Sequence, residues 1–137
     1  MTEDDRIELY EFFKSITTQS ISKSENIRFF NDFYMLLGEI ENGGFHQYLS
    51  NATGDSFTSL YEQMQKLGFE DISKQFRKVL EILKIESMSE NRVDRNDLLS
   101  CFGDDQYELF DEVDMFFQDN SDEIEERFYL FYKNNLA

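Results

Sequence analysis

The sequence predicts an all-α fold, a single compact domain of about six to eight helices over residues 1–137. Apolar residues recur at intervals of three and four along most of the chain, and no stretch sustains the polar–apolar alternation of a strand. The 137 residues include no proline, the residue that most often interrupts helices. A chain of this length can bury enough surface to fold without a disulfide or a metal.

Apolar stripes predict four helices in the first two thirds of the chain. They lie within residues 9–16, 27–40, 57–67 and 72–83. The run Asn42-Gly43-Gly44 predicts a break after the second helix, because two glycines allow a left-handed cap and a sharp change of direction. Gly68 is expected to cap the third helix.

The last third is predicted to begin with a connection and a short helix. Residues 87–96 are polar and predict the connection, and residues 97–102 predict the short helix. Two longer helices follow at 104–118 and 121–135.

The starts of these two helices have the spacing of capping boxes. The first is Asp105-x-x-Glu108 and the second is Asn120-x-x-Glu123. We therefore expect Asp105 and Asn120 to cap them.

Negative charge is concentrated near the C-terminus. The chain has 29 acids against 13 Lys and Arg, for a formal net charge of −16. Between residues 104 and 126 there is no base, and the acids there are Asp104, Asp105, Glu108, Asp111, Glu112, Asp114, Asp119, Asp122, Glu123, Glu125 and Glu126. These eleven carboxylates are the candidate protein-binding residues, acting in place of phosphates.

A helical wheel of residues 104–117 predicts a core face and an anionic face. The predicted core side chains are Leu109, Phe110, Val113, Phe116 and Phe117. The opposite arc holds Asp104, Asp105, Glu108, Asp111 and Glu112, with Met115 among them. Six carboxylates over 104–116 amount to about one charge per ~3.3 Å of axis, close to the ~3.4 Å spacing along one DNA strand.

This charge favours a basic partner and argues against direct binding to nucleic acid or to an anionic membrane, since both would be repelled. A solvated face that serves only solubility is an alternative. Calcium binding is disfavoured because Asp119-Asn120-Ser121-Asp122 lacks the glycine and the ligand spacing of an EF-hand loop.

Other residue types argue against metal sites, cofactors and export. One cysteine, Cys101, permits no internal disulfide, and the single histidine, His46, has no second ligand at metal spacing. We therefore expect no metal and no cofactor. The acidic N-terminus and the lack of a long apolar run predict a cytoplasmic protein with no membrane partner.

One motif surrounds the predicted break. It reads E-x-x-N-G-G-F-x-Q-Y-x-x-N-x-x-G, and its residues are Glu39, Asn42, Gly43, Gly44, Phe45, Gln47, Tyr48, Asn51 and Gly54. We interpret it as a structural helix–turn–helix corner in which Phe45 enters the core. The amides of Asn42, Gln47 and Asn51 are expected to satisfy the backbone groups that the break frees.

This motif resembles the signature of a bacterial all-helical family whose named representative is a DNA-mimic protein and most of whose members are of unknown function. The resemblance runs from about Ile27 to the C-terminus and includes Leu109-x-x-x-Val113-x-x-Phe116 and Tyr132-x-x-Asn135. It implies a non-catalytic protein that occupies the DNA-binding surface of a transcription factor or nucleoid protein and so acts in transcription regulation. The motif would be architectural, and the carboxylates would be functional.

Three other interpretations stay open. An immunity or antitoxin-type protein that neutralises a basic toxin would also be small and acidic. An enzyme built on His46, Gln47 and Asn51 is disfavoured because no nucleophile–base pair or phosphate loop accompanies them. The aromatic cluster Phe128, Tyr129, Phe131 and Tyr132 is mostly expected in the core, with one edge available to a homodimer.

Overall fold

The computed structural model describes residues 1–17 and 24–137. Within these ranges the chain forms seven α-helices, one 3-10 helix and no strand, which confirms the predicted all-α fold. The α-helices are α1 (Glu3–Thr17), α2 (Glu25–Ser50), α3 (Phe57–Lys66), α4 (Glu70–Leu83), α5 (Arg92–Leu99), α6 (Asp104–Asp119) and α7 (Ser121–Asn135). The 3-10 helix (Ala52–Ser56) joins α2 to α3. No helix in this part of the chain combines the length and apolar character that a membrane crossing requires.

Helix α2 is the centre of the fold. It packs against α1, α3, α5 and α6, while α4 lies against α3 and α6, and α7 contacts α1 and α6. Three phenylalanines of α2, Phe29, Phe30 and Phe33, are at most 2% exposed. Their spacing of one and four residues puts them on one side of the helix, where they meet α7. Phe128 of α7 lies 4.9 Å from both Phe30 and Phe33, between ring centroids.

The aromatic cluster at the C-terminus belongs mainly to this core, as expected. Phe128, Phe131 and Tyr132 are buried, and Tyr129 is partly buried. The Tyr129 hydroxyl donates a hydrogen bond of 2.8 Å to Glu8 of α1. The last helix is thereby tied to the first.

The predicted break within residues 42–44 is confirmed at Gly44, where two helical segments of α2 meet at a kink. Asn42 and Gly43 are still helical, and only Gly44 leaves the helical conformation, with φ 81° and ψ 178°. Phe45 then enters the core and is fully buried, as predicted. Gly68, with φ 84°, follows α3 in the expected capping position.

The predicted short helix is present, but as α5 it spans Arg92–Leu99 and not 97–102, so the connection predicted at 87–96 is wrong in its second half. Helix α5 begins at Arg92 because the Asn91 side chain accepts hydrogen bonds from the amides of Val93 and Asp94, at 2.8 and 3.3 Å. This N-cap satisfies two of the amides that a helix start leaves free. The start of this helix was not predicted, because the segment is polar and shows no apolar stripe.

Neither predicted capping box forms. Helix α6 begins one residue before Asp105, and the Gln106 side chain accepts a hydrogen bond of 2.8 Å from the Gly103 amide. Asn120 does precede α7, but its side-chain amide donates to the Phe116 carbonyl at 2.8 Å. The Asn120 side chain therefore caps the end of α6, and only its backbone carbonyl accepts a hydrogen bond from α7, from the Ile124 amide.

A buried arginine connects α5 to the end of α2. Arg95 is 1% exposed, and its guanidinium donates to the carbonyls of Leu49, Ser89 and Asn51 at 2.8, 3.0 and 2.9 Å. It also forms a 2.7 Å ion pair with Asp55, which is half exposed. A Cβ atom at Gly54 would lie 2.9 Å from the Arg95 Nε, so this motif position needs glycine.

We predict that Arg95→Met lowers the free energy of unfolding by about 3 kcal/mol, because three carbonyls lose a buried donor. Asp55→Asn should lower it by about 1 kcal/mol or less, since Asp55 is half exposed. Urea unfolding followed by circular dichroism measures both. Equal losses would mean that the ion pair, and not the carbonyl contacts, gives Arg95 its role.

Candidate protein-binding surface

Helix α6 separates a narrow core face from a wide anionic face. Phe110, Val113 and Phe117 are the buried side chains of α6. The predicted core face is too wide, because Leu109 is 39% exposed and Phe116 is only partly buried. Met115 is 57% exposed and lies on the anionic side, as predicted.

Nine of the eleven predicted carboxylates are exposed. We call these nine the acidic band: Asp104, Asp105, Glu108, Asp111, Glu112, Asp119, Asp122, Glu123 and Glu126. Within the described residues, only two of them form salt bridges. Glu112 lies 3.1 Å from Lys78 of α4, and Glu123 lies 3.9 Å from Arg127. Most of the band therefore keeps its charge open to solvent.

Glu125, one of the two remaining carboxylates, faces α1 and not the open surface. Its Oε2 accepts a 3.1 Å hydrogen bond from the Arg6 Nε. It is partly buried, and the nearby guanidinium offsets much of its charge. The pairing of Arg6 with Glu125 could not be predicted from the sequence, because the two residues lie near opposite ends of the chain.

Asp114 does not belong with the exposed carboxylates. It is partly buried, and its Oδ1 accepts a 2.7 Å hydrogen bond from the Phe45 amide. Burial raises the pKa of Asp114, with a further increase from Asp111, while the Phe45 amide and His46 lower it. Asp114 is therefore a structural acceptor at the α2 kink. The helical wheel already separated Asp114 from the anionic face, because Asp114 falls about 80° from Asp104 on the side away from the other carboxylates.

The kink at Gly44 depends on glycine. Its φ of 81° and ψ of 178° lie in a region that residues with a side chain avoid. A Cβ atom there would also collide with the Asp114 carboxylate. Glycine thus lets the carboxylate approach the backbone closely enough to hold the Phe45 amide.

The motif amides hold a carboxylate, and not the backbone groups that we expected them to satisfy. Glu39, before the kink, accepts hydrogen bonds from Gln47 at 3.0 Å and from Asn51 at 2.8 Å, both after it. Glu39 thus links the segments before and after the kink, while Asp114 binds the Phe45 amide at the kink itself. Asn42 is exposed. Tyr48 is buried, and its hydroxyl lies 2.8 Å from the Ser56 Oγ.

His46 lies between this corner and the start of α6. Its ring stacks on Tyr107, with centroids 5.8 Å apart and planes at 25°, and meets Phe102 edge-on. Its Nδ1 is 3.3 Å from the Ser50 Oγ. These contacts make His46 a packing residue that supports the first turn of α6.

The family model described as DMP19-like protein matches residues 23–135. The chain belongs to the DMP19-like protein family. Searches of curated proteins and of solved structures give no match for the chain.

Membership of the DMP19-like family confirms the family that the sequence resembles, and the matched range begins slightly before Ile27. The match spans the kink, α5 and the whole acidic band. It does not test the motif itself or the role of any single carboxylate, so those assignments stay predictions.

We predict opposite effects of alanine at two glycines of α2. Gly44→Ala should lower the free energy of unfolding by about 1–3 kcal/mol, because of backbone strain and the collision with Asp114. Gly38→Ala is the matched control. A Cβ atom at Gly38 would meet open space beyond the backbone of its own helix, so this substitution should raise stability by about 0.5–1 kcal/mol. Thermal and urea unfolding report both, and a neutral Gly44→Ala would contradict the assigned kink.

We also predict a pH dependence that comes from Asp114. Its raised pKa means that the folded protein binds this proton more tightly than the unfolded chain does. The contribution of Asp114 to stability is therefore greatest below the unfolded pKa and falls as pH rises through the folded pKa. The free energy of unfolding of the wild type minus that of Asp114→Asn should thus decrease between about pH 3 and about pH 7.

Urea titrations of both proteins across this range measure the difference. The Glu86→Gln variant, altered at an exposed acid, controls for the change in net charge. A difference that increases with pH would mean that the hydrogen bond from Phe45 outweighs burial.

Proposed function

We propose that the acidic band binds the positively charged DNA-binding face of a transcription factor or nucleoid protein and blocks it, as a DNA mimic. The observation that carries the proposal is a set of exposed carboxylates that form no salt bridge with a described base: Asp104, Asp105, Glu108, Asp111, Asp119, Asp122 and Glu126. Membership of the DMP19-like family supports it, because the named representative of the family that the motif resembles is a DNA mimic.

The spacing of the charges supports the comparison with DNA. Six band carboxylates lie on α6 between Asp104 and Asp119, which at 1.5 Å per residue is about one charge per ~4 Å of helix axis. One strand of DNA carries a charge about every ~3.4 Å. The first turns of α7 add Asp122, Glu123 and Glu126, so the negative potential is strongest where the two helices meet.

Met115 gives the band an apolar contact in the midst of its charges. Its side chain is exposed, flexible and flanked by Asp111 and Glu112. Methionine adapts to irregular surfaces, so it can contact the aliphatic stems of a partner's lysines and arginines.

Binding without catalysis follows from this proposal, as does a dependence on salt. Complementary charge speeds association, and added salt screens it. The protein itself releases few condensed counterions, so its affinity should fall less steeply with salt than the affinity of the same partner for DNA.

The test uses a triple variant, Asp104→Asn, Glu108→Gln and Asp111→Asn, which removes three exposed charges along one line of α6. The control, Glu62→Gln, Glu86→Gln and Glu90→Gln, removes the same charge from exposed acids outside the band. The wild type is first used to capture basic DNA-binding proteins from a bacterial lysate, and fluorescence anisotropy then measures displacement of labelled DNA from a captured protein.

We expect the triple variant to displace DNA about tenfold less effectively and the control to match the wild type. Equal weakening by both sets would assign the effect to overall charge and contradict a binding role for the band. Failure of the wild type to displace DNA from any captured protein would contradict the proposed function.

A further inference from the structure

A cavity adjoins the acidic band at the α2 kink. Its volume is about 490 Å³, and it opens between the second half of α2, the end of α6 and the start of α7. This volume lies in the range of sites that hold small ligands or single side chains. The kink forms one end of the cavity, with Gly43 and Gly44 in its wall.

The walls combine apolar surface with carboxylates. Leu37, Ile40, Phe117 and Ile124 supply the apolar part. Glu41, Asp114 and Glu125 supply the charge, and no Lys or Arg is among the described residues that line the cavity.

Two of these carboxylates have unused capacity for a cation. Glu125 is already hydrogen-bonded to Arg6, but Glu41 forms no salt bridge with any described residue. Asp114 uses Oδ1 to hold the Phe45 amide, while Oδ2 accepts no hydrogen bond from the described part of the chain. Partial burial without a cationic partner is unfavourable for Asp114, which is why its pKa is raised.

An occupant that fits this lining has an apolar stem and a cationic end. Lysine and arginine side chains have this character, since their methylene groups pack on apolar surface and their charged ends bind carboxylates. A purely apolar group would leave Glu41 and Asp114 without a counter-charge. An anion would be repelled.

The position of the cavity identifies the source of that side chain. Along the α6–α7 junction, cavity residues Gln118, Ser121 and Glu125 alternate with band residues Asp119, Asp122 and Glu126. A basic protein that rests on the band therefore brings cationic side chains next to the cavity.

We infer that the cavity receives one lysine or arginine side chain from the protein that the acidic band binds, an inference that rests on the proposed function. The band attracts any basic protein surface. The cavity selects a partner that has a lysine or arginine at the matching position, and it fixes where that partner lies on the band. Attraction by exposed charge acts mainly on the association rate, whereas an inserted side chain slows dissociation.

The test is an NMR titration of the ¹⁵N-labelled protein with five-residue peptides, acetyl-Gly-Gly-X-Gly-Gly-amide, in which X is arginine, lysine or norleucine. The arginine or lysine peptide is expected to shift the amide signals of Gly43, Gly44 and Ser121 saturably, and the norleucine peptide to leave them unchanged. Glu41→Gln and Asp114→Asn should each weaken this binding about fivefold. Glu86→Gln, outside the cavity, should not change it.

Other outcomes overturn the inference in distinguishable ways. Shifts confined to the first turns of α6 would show that cations bind the band alone, which leaves the proposed function in place and removes the cavity from it. Equal shifts with the norleucine peptide would show an apolar site. Spermidine, titrated separately, would be the occupant if it shifted these signals while neither cationic peptide did. The displacement of DNA by the wild type tests the proposed function independently of all three.

Discussion

The Asp114 carboxylate accepts a 2.7 Å hydrogen bond from the Phe45 amide, and this contact joins the central helix to the helix that carries most of the acidic band. Gly44 turns α2 out of the helical conformation just before that amide, so the acceptor must come from elsewhere in the chain. Glu39, before the kink, accepts hydrogen bonds from Gln47 and Asn51 after it. Together with the buried side chains Phe110, Val113 and Phe117, this arrangement sets the orientation of α6 and so the direction of the exposed carboxylates.

The acidic residues of the C-terminal region are of two kinds, which differ in burial and in hydrogen bonding. Asp114 and Glu125 are partly buried and hold the helices together, Asp114 to α2 and Glu125 to α1. The nine residues of the acidic band stay exposed and mostly unpaired among the described residues, so their charge is available to a partner. The cavity lies where the two kinds meet, since it contains both inward carboxylates and adjoins the outward ones. Carboxylates therefore have two roles in this region. The partly buried ones hold helices together, and the exposed ones are proposed to bind a partner.

Helix periodicity predicted the all-α fold, six of the seven helices and the core positions of Phe30, Phe33 and Phe45, because these depend on local pattern and on the burial of apolar side chains. The start of helix α5 was predicted five residues too late, because the helix is stabilised by the Asn91 cap and by Arg95, whose carbonyl partners lie more than 40 residues away in two of three cases. The predicted capping boxes do not form for a related reason. Gln106 accepts a hydrogen bond from the Gly103 amide, and the Asn120 side chain donates to the Phe116 carbonyl. Sequence spacing alone does not show which of several possible side-chain hydrogen bonds to the backbone forms.

The candidate surface divides in the same way. The sequence alone predicted a dense anionic face on α6. An α-helix turns by about 100° per residue, and this rotation determines which side chains lie on the same face of the helix. Which carboxylates are free depended on bases and amides that are remote in sequence, namely Lys78 for Glu112, Arg6 for Glu125 and the Phe45 amide for Asp114. Local pattern thus fixes the direction of a side chain on its own helix. Its partners and its burial are set by contacts between helices, which no window of the sequence contains.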